Sequence, residues 1–194
     1  FVPYSSTKNA QILDISPSKN HATLVGPPIY NLVDNGNLVF DFNNYVSYLT
    51  LDNEILLDAA EDWSFEFIVI PHQTSTVDTQ IRLFQGNGGS FFKFEWANRL
   101  LCRNNINESF LFFNGLSERL TIDVLNHIVF YNSGNVCHLR INNKEINTTL
   151  TTTGTLSITR IFESQSSYND AEFKTLKIYN KKLTDSELDQ NWLL

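Results

Sequence analysis

The sequence contains no methionine and only two cysteines, and it has no long apolar run. The longest apolar candidate for a membrane span, residues 67–70, is strand-sized, whereas a spanning helix needs roughly 18–20 apolar residues. We therefore expect no membrane insertion. The absence of Met and of a leader-like segment predicts that the chain starts inside a longer protein or after processing.

The chain also lacks an excess of positive charge. Its 14 Lys and Arg residues stand against 21 Asp and Glu residues, which gives a formal net charge of −7. Proteins that bind nucleic acid usually carry a basic patch, and no long Lys or Arg run occurs here. We therefore expect no nucleic acid partner.

Signatures of metal or phosphate chemistry are missing as well. The four His residues are not spaced as metal ligands on one helix or in one hairpin. The glycine-rich residues 86–89 lack the Lys and Ser/Thr of a phosphate-binding loop and the helix that follows it. No nucleophilic triad is supported.

The two cysteines, Cys102 and Cys137, both lie in strand-like runs. They would pair only if the two strands are neighbours, which the sequence does not establish. Two buried thiols are the favoured interpretation, because a free cysteine behaves as a small hydrophobic residue.

Hydrophobic and aromatic residues are plentiful, at 42% and 13% of the chain, and predict a packed core. Short apolar runs start about every 8–12 residues, which is typical of a β-sandwich. We predict strands over residues 10–13, 22–25, 37–42, 45–51, 64–70, 80–85, 90–96, 99–103, 109–113, 126–131, 136–141, 157–162 and 172–179. Helical segments are predicted near residues 53–60 and 185–192. The predicted fold is one all-β domain over residues 1–194, an antiparallel two-sheet jelly-roll sandwich with a short C-terminal helix.

The C-terminal segment carries the clearest local signals. Thr184 and Glu187 have the spacing of a capping box, in which each side chain accepts a hydrogen bond from the other residue's backbone amide. Leu183 and Leu188 flank this cap as a hydrophobic staple that fixes the entry angle of the helix. A half-buried strand, a turn and a capped helix are therefore predicted in succession.

This ending resembles the C-terminus of laminin-G-like domains of the concanavalin A-like lectin and glucanase superfamily. Five segments resemble that family in the same order: residues 13–26, 38–46, 62–71, 126–143 and 173–188. The resemblance implies a jelly roll that binds glycans. Some relatives hold calcium near the opening turn, where Asp14 is a weak candidate ligand. Lys174 stands where relatives have an acid, so calcium is disfavoured and no cofactor is expected.

Catalysis of glycoside cleavage would need two carboxylates about 5–9 Å apart across the substrate. Glu66 and Glu95 are the only acids central in strong strands, and each lies between aromatic residues. We interpret both as solvated carboxylates that point outward from half-buried strands. The chain is therefore expected not to be an enzyme, although a glycan-cleaving enzyme stays open if distant strands bring these two together.

Glycan binding requires aromatic rings for the C–H faces of sugars and amides or guanidinium groups for their hydroxyls. One predicted hairpin and two loops that would have to share its rim supply such side chains: Trp96, Arg99, Arg103, Asn105, Asn87 and Tyr168.

The predicted function is carbohydrate recognition or adhesion, without catalysis, by one module of a larger extracellular, cell-surface or virion-surface protein. A phage tail fibre would suit the acidic, Asn-rich composition. The expected partners are a surface glycan and neighbouring domains. The alternative is a purely structural protein–protein or virion-decoration domain that has no sugar site.

Overall fold

The computed structural model describes residues 11–12, 17–25, 29–32, 38–41, 48–71, 80–95, 99–106, 109–113, 120–151, 153–161 and 171–192. The strands are β1 Gln11–Ile12, β2 Ala22–Val25, β3 Ile29–Leu32, β4 Leu38–Asp41, β5 Tyr48–Asp58, β6 Trp63–Pro71, β7 Gln80–Gln85, β8 Phe91–Glu95, β9 Arg99–Arg103, β10 Ser109–Phe113, β11 Asn126–Ser133, β12 Val136–Ile141, β13 Lys144–Thr151, β14 Thr155–Ile161 and β15 Ala171–Tyr179. A 3-10 turn spans Asn87–Gly89, and helix α1 spans Asp185–Trp192. Within these ranges, no helix has the length and apolar character to cross a membrane.

The strands form two antiparallel sheets. The eight-stranded sheet has the order β1-β2-β5-β14-β7-β8-β9-β10, and the seven-stranded sheet has the order β13-β12-β11-β6-β15-β4-β3. Neighbouring strands often come from distant parts of the chain, as β5 and β14 do. The predicted two-sheet antiparallel sandwich with a short C-terminal helix is confirmed.

The core lies between the sheets and is built largely from aromatic rings. The Phe92 and Phe130 rings stack with centroids 4.6 Å apart and join the two sheets, and Phe84 stacks on Phe65 at 5.2 Å. Trp63 is 2% exposed and packs on Phe130 at 5.4 Å. Such ring pairs contribute about 0.5–1.5 kcal/mol each beyond the area they bury.

The helix predicted over residues 53–60 is wrong, because β5 runs without interruption from Tyr48 to Asp58. Leu57 pairs with Leu156 and Ile55 with Ile158, both on β14. Hydrogen bonds to a distant strand and burial of Leu57 therefore override the local preference of this segment. Two strands were not predicted from the sequence, β3 and β13.

The two cysteines are free and buried, as the sequence favoured. Cys102 belongs to β9 of the eight-stranded sheet and Cys137 to β12 of the seven-stranded sheet, so their strands are not neighbours. Both thiols line one small cavity of about 10 Å³, which is about one water-sized sphere.

Helix α1 packs on the outer face of the seven-stranded sheet. The amide of Thr184 donates to Glu187 Oε2 at 2.9 Å, and the Glu187 amide donates to Thr184 Oγ1 at 3.3 Å. Leu183 and Leu188 are buried in one cluster with Val129 and Tyr131. The predicted capping box is confirmed, and burial of both leucines agrees with the predicted staple.

Candidate functional site

The structure describes four of the six residues predicted to bind glycan, one of them by its backbone alone. Trp96 and Tyr168 lie outside the described residues, as does Asp14, the weak calcium candidate. Among the described residues, no group of three or more His, Cys, Asp or Glu side chains could hold a metal ion.

Asn87, Arg103 and Asn105 come together at one end of the eight-stranded sheet. Arg103 is the partner of Phe91 across β8 and β9, directly beside the turn that contains Asn87. A Cβ placed on Gly88 would lie 2.6 Å from the carbonyl oxygen of Asn105, so the two loops are in contact. The Asn87 and Asn105 side chains are exposed.

Arg99 is separated from this group by the length of β9. It lies four residues before Arg103, a distance of about 13 Å along a strand. Arg99 is the partner of Glu95 at the far end of β8. The predicted residues therefore divide between the two ends of the β8–β9 hairpin.

The turn that presents Asn87 is fixed by close packing on β14. A Cβ on Gly86 would lie 1.9 Å from the carbonyl oxygen of Ser157, so only glycine fits at this approach. The Asn87 amide donates to Ser157 Oγ at 2.7 Å, and the Ser157 hydroxyl donates to the Glu54 carboxylate. The Asn87 side chain also donates to Glu54, at 3.1 Å. This turn is therefore held in place in the absence of a ligand.

One row of residues crosses the eight-stranded sheet from β5 to β9. Each member is the direct partner of the next: Thr50, Arg160, Gln85, Phe91 and Arg103. Directly opposed residues share a face, and successive residues of a strand alternate between faces. The sequence neighbours Phe84, Phe92 and Cys102 point into the core. The row therefore lies on the outer face, away from the other sheet.

Positive side chains surround an aromatic ring in this row. The guanidinium carbon of Arg103 lies 4.9 Å from the centroid of the Phe91 ring, Lys93 Nζ lies at 5.0 Å, and the Arg82 guanidinium carbon at 5.6 Å. The guanidinium carbon of Arg160 lies 4.6 Å from the centroid of the Tyr48 ring. All four are within cation–π range, which orients the charged groups.

This half of the sheet has a charge opposite to that of the whole chain. Strands β14, β7, β8, β9 and β10 contain five basic residues and a single acidic one, Glu95. The basic residues are Arg82, Lys93, Arg99, Arg103 and Arg160. The chain as a whole has 21 acidic and 14 basic residues.

We call the outer-face residues Arg82, Gln85, Phe91, Lys93, Arg103 and Arg160, together with Asn87 and Asn105, the binding face. Sequence reasoning found Asn87, Arg103 and Asn105 among them. The alternation of β8 was a usable signal for Phe91, because buried Phe92 implies that Phe91 and Lys93 face outward. The partnership of Arg160 with Gln85 left no signal in the sequence.

The predicted outward, solvated Glu66 is wrong, because its side chain is 0% exposed. It does face away from the core, but the outer face of the seven-stranded sheet is covered by α1. Its carboxylate contacts His127 Nε2 at 2.7 Å, and accepts hydrogen bonds from the Tyr179 hydroxyl at 3.1 Å and Asn191 Nδ2 at 2.9 Å. Lys177 Nζ lies 3.7 Å away.

Glu66 belongs to a buried cluster of hydrogen-bonded side chains that has a structural role. Burial and the nearby Glu66 carboxylate raise the pKa of Tyr179 to about 12. Glu95, the other acid considered for catalysis, belongs to the opposite sheet. A carboxylate buried under a helix offers no approach to a sugar. Glu66 therefore does not supply one of the two accessible carboxylates that glycosidic cleavage requires.

No protein-family model and no curated protein sequence matches this chain. Solved structures do match in fold. The binding domain of botulinum neurotoxin DC in complex with rat synaptotagmin II aligns with a TM-score of 0.69 and 15% identity, over 93% of this chain and 48% of that one. The binding domain of Paraclostridial Mosquitocidal Protein 1 aligns with a TM-score of 0.68 and 15% identity, over 98% of this chain and 50% of that one.

A structure of the botulinum neurotoxin DC binding domain in complex with SialylT aligns over the same shares, 93% and 48%, with a TM-score of 0.68 and 15% identity. The chain thus spans about half the length of these toxin binding domains. At such low identity the similarity establishes a shared β-sandwich fold and nothing about ligands.

Proposed function

We propose that this chain is a non-catalytic, receptor-binding module that recognises carbohydrate through its binding face. One observation carries the proposal. On the outer face of the sheet, the Arg103 guanidinium lies over the Phe91 ring, beside the turns that present Asn87 and Asn105. Arg103 and Phe91 are half-buried, and both asparagines are exposed, so the group is open to a ligand along one rim.

The chemistry of these side chains suits a sugar. An aromatic ring packs against the C–H groups of a sugar. Amides both donate to and accept from sugar hydroxyls, whereas guanidinium groups only donate. The hydrogen bonds from Asn87 to Glu54 and Ser157 hold one side of the rim before any ligand arrives. Such preorganisation lowers the entropy lost on binding.

The structural neighbours support this class of function by analogy. They are binding domains of toxins, and two of them were solved with a bound protein or SialylT. We propose on the same grounds an extracellular setting within a larger protein, and a scaffold related to laminin-G-like and concanavalin A-like sandwiches. None of these neighbours supports a virion or phage setting.

A glycan array probed with the purified chain tests the proposal. We expect binding to a defined set of glycans that is lost in the double variant Asn87→Ala/Asn105→Ala and weakened in Phe91→Ala. The matched control is Asn180→Ala, an exposed asparagine that follows β15 on the other sheet. A blank array, or equal binding by all variants, would instead support a structural domain that has no sugar site.

A further inference from the structure

We infer that the binding face takes an acidic saccharide, sulfated or carboxylated, laid across the strands along the row Arg160, Gln85, Phe91 and Arg103. This inference rests on the proposed function and adds the charge and orientation of its ligand.

The first argument is the placement of two like charges directly opposite each other. Arg82 and Lys93 are partners across β7 and β8, an arrangement that destabilises a sheet. Lys93 is only 8% exposed, so its charge is poorly screened by water. With Arg103, these side chains gather three cations around the ring of Phe91.

These cations have further interactions within the protein, so the argument concerns the concentration of charge and not an unpaired group. Three cations around one ring, in a chain whose net charge is −7, form a local positive surface that attracts an anion.

The second argument is the orientation of the guanidinium groups. Arg103 lies over Phe91, and Arg160 over Tyr48, so both planar groups are held before a ligand binds. A guanidinium bonds carboxylate or sulfate-like oxygens through two parallel hydrogen bonds. Arg82 donates to Gln85 Oε1 between them, which fixes the amide in the middle of the row.

The third argument is length. Arg160 and Arg103 lie three strands apart, which corresponds to about 14 Å at the usual strand spacing. A single small anion cannot contact both. An oligosaccharide that carries acidic groups on separate sugar units can, and its neutral rings would meet Phe91 midway.

The narrow shape of the positively charged surface favours a saccharide over a membrane or nucleic acid. The basic strip is bordered on β5 by Asp52, Glu54 and Asp58. A bilayer with anionic lipids is a broad negative surface, and the acidic remainder of the protein would be repelled by it. A nucleic acid binder neutralises many phosphates over a wide basic surface. A narrow strip instead fits one acidic chain.

Isothermal titration of the full chain with four defined saccharides tests the inference: a heparin-derived octasaccharide, its desulfated and N-acetylated counterpart, sialyllactose and lactose. We expect at least one acidic probe to bind about 10-fold or more tighter than its neutral counterpart, and this preference to shrink at high salt. Arg103→Gln and Arg160→Gln should each weaken the acidic probe about 10-fold or more. Lys144→Gln, which removes the same charge from β13 of the other sheet, should not.

The outcomes separate the two proposals. If neither the glycan array nor any of the four saccharides shows binding, the proposed function fails; if the array shows binding and neither acidic probe binds, only this inference is overturned. If neutral and acidic probes bind equally, or if neither arginine variant affects the acidic probe, carbohydrate recognition stands and this inference is overturned. Binding to vesicles that contain phosphatidylserine, without binding to any acidic saccharide, would overturn it in favour of a membrane. Circular dichroism of each variant checks that it is folded.

Discussion

A single buried side chain, Glu66, explains how the C-terminal helix is held. Its carboxylate collects contacts from His127 on β11, Tyr179 on β15 and Asn191 on α1. Asn191 also donates to the Tyr179 hydroxyl at 3.1 Å, so the three residues close a network on one carboxylate. A buried charge is tolerated only when it is paired and hydrogen-bonded in this way. Glu66 therefore links two strands and the helix.

Replacing Glu66 tests this role. We expect Glu66→Ala to lower the free energy of unfolding by about 3–5 kcal/mol, because the donors around the carboxylate lose their acceptor while buried. Glu66→Gln keeps the shape and one acceptor oxygen and should cost less, about 1–3 kcal/mol. Urea unfolding followed by tryptophan fluorescence measures both.

Glu145→Ala is the matched control. This carboxylate is 40% exposed, pairs with His138 and Arg140 and accepts a hydrogen bond from the Tyr131 hydroxyl at 3.1 Å, so its removal should cost about 1 kcal/mol. A Glu66→Ala variant no less stable than Glu145→Ala would contradict the role of Glu66 in holding the helix. Both Glu66 variants should leave glycan binding by the opposite sheet unchanged if they fold.

At the scale of elements, the short helix α1 is stabilised mainly by interactions at its N-terminus. Its last turn contains no basic residue, and its first turn contains Asp185 and Glu187. Acidic residues near the N-terminus interact favourably with the helix dipole. Ser64 of β6 fixes the chain before the helix, because it donates to the Lys181 carbonyl at 2.8 Å and accepts from the Leu183 amide at 3.1 Å.

The cap should make stability depend on acid pH. The hydrogen bond from Lys181, then those from Thr184, lower the pKa of Glu187 from 4.5 to about 2. Since the pKa is lower in the folded chain, the stabilisation is complete above about pH 4.5 and is lost as the pH falls toward 2. We expect Glu187→Gln to lower the melting temperature at pH 6 and to approach wild type near pH 2.5.

Thermal melts between pH 6 and pH 2.5 measure this convergence. Glu61→Gln, which changes an exposed carboxylate between β5 and β6, is the matched control for the loss of one negative charge. A constant difference between Glu187→Gln and wild type at all pH values would show that the carboxylate contributes no titrating stabilisation to the cap.

The elements differ in how far local sequence determined them. The alternating burial of β12 and the continuous apolar run in β6 match their patterns, so both were predicted. The segment after Leu51 contains Asp, Asn and Glu followed by paired leucines and alanines, which favours a helix locally. Only its pairing with β14, about a hundred positions later, makes it a strand.

Dependence on distant strand pairing also separates the binding-face residues that were predicted from those that were not. Arg103 and the two asparagines were predicted from residue type within or beside one hairpin. Arg160 was not, because its position beside Gln85 depends on the register between β7 and β14. A row across strands is a property of sheet register, and register between distant strands cannot be derived from one sequence without knowing the topology.

At the scale of the whole molecule, the two outer faces differ. The seven-stranded sheet carries α1, with a buried carboxylate and a leucine cluster beneath it. The eight-stranded sheet carries the strip of positive charge around Phe91. One outer face thus holds the C-terminal segment, and the other carries the concentrated positive charge on which the proposed site rests.

The reactivity of the two cysteines can be used to test whether the two sheets separate as one cooperative unit. Cys102 and Cys137 come from opposite sheets and line one cavity, at 0% and 1% exposure. Burial, and then the proximity of Cys137, raise the pKa of the Cys102 thiol well above its usual value. Because the thiolate is the reactive form, both solvent exclusion and this shift oppose reaction with a disulfide reagent.

We therefore expect 5,5′-dithiobis(2-nitrobenzoic acid) to modify neither thiol in the native chain and both in guanidinium chloride. In intermediate guanidinium concentrations both should react together at the rate of unfolding, because exposing either one requires the sheets to part. Asn180→Cys is the control, since a thiol at this exposed position should react at once in the native protein. Rapid native reaction of Cys102 or Cys137 alone would show that one sheet opens locally, and that the sandwich is not a single cooperative unit.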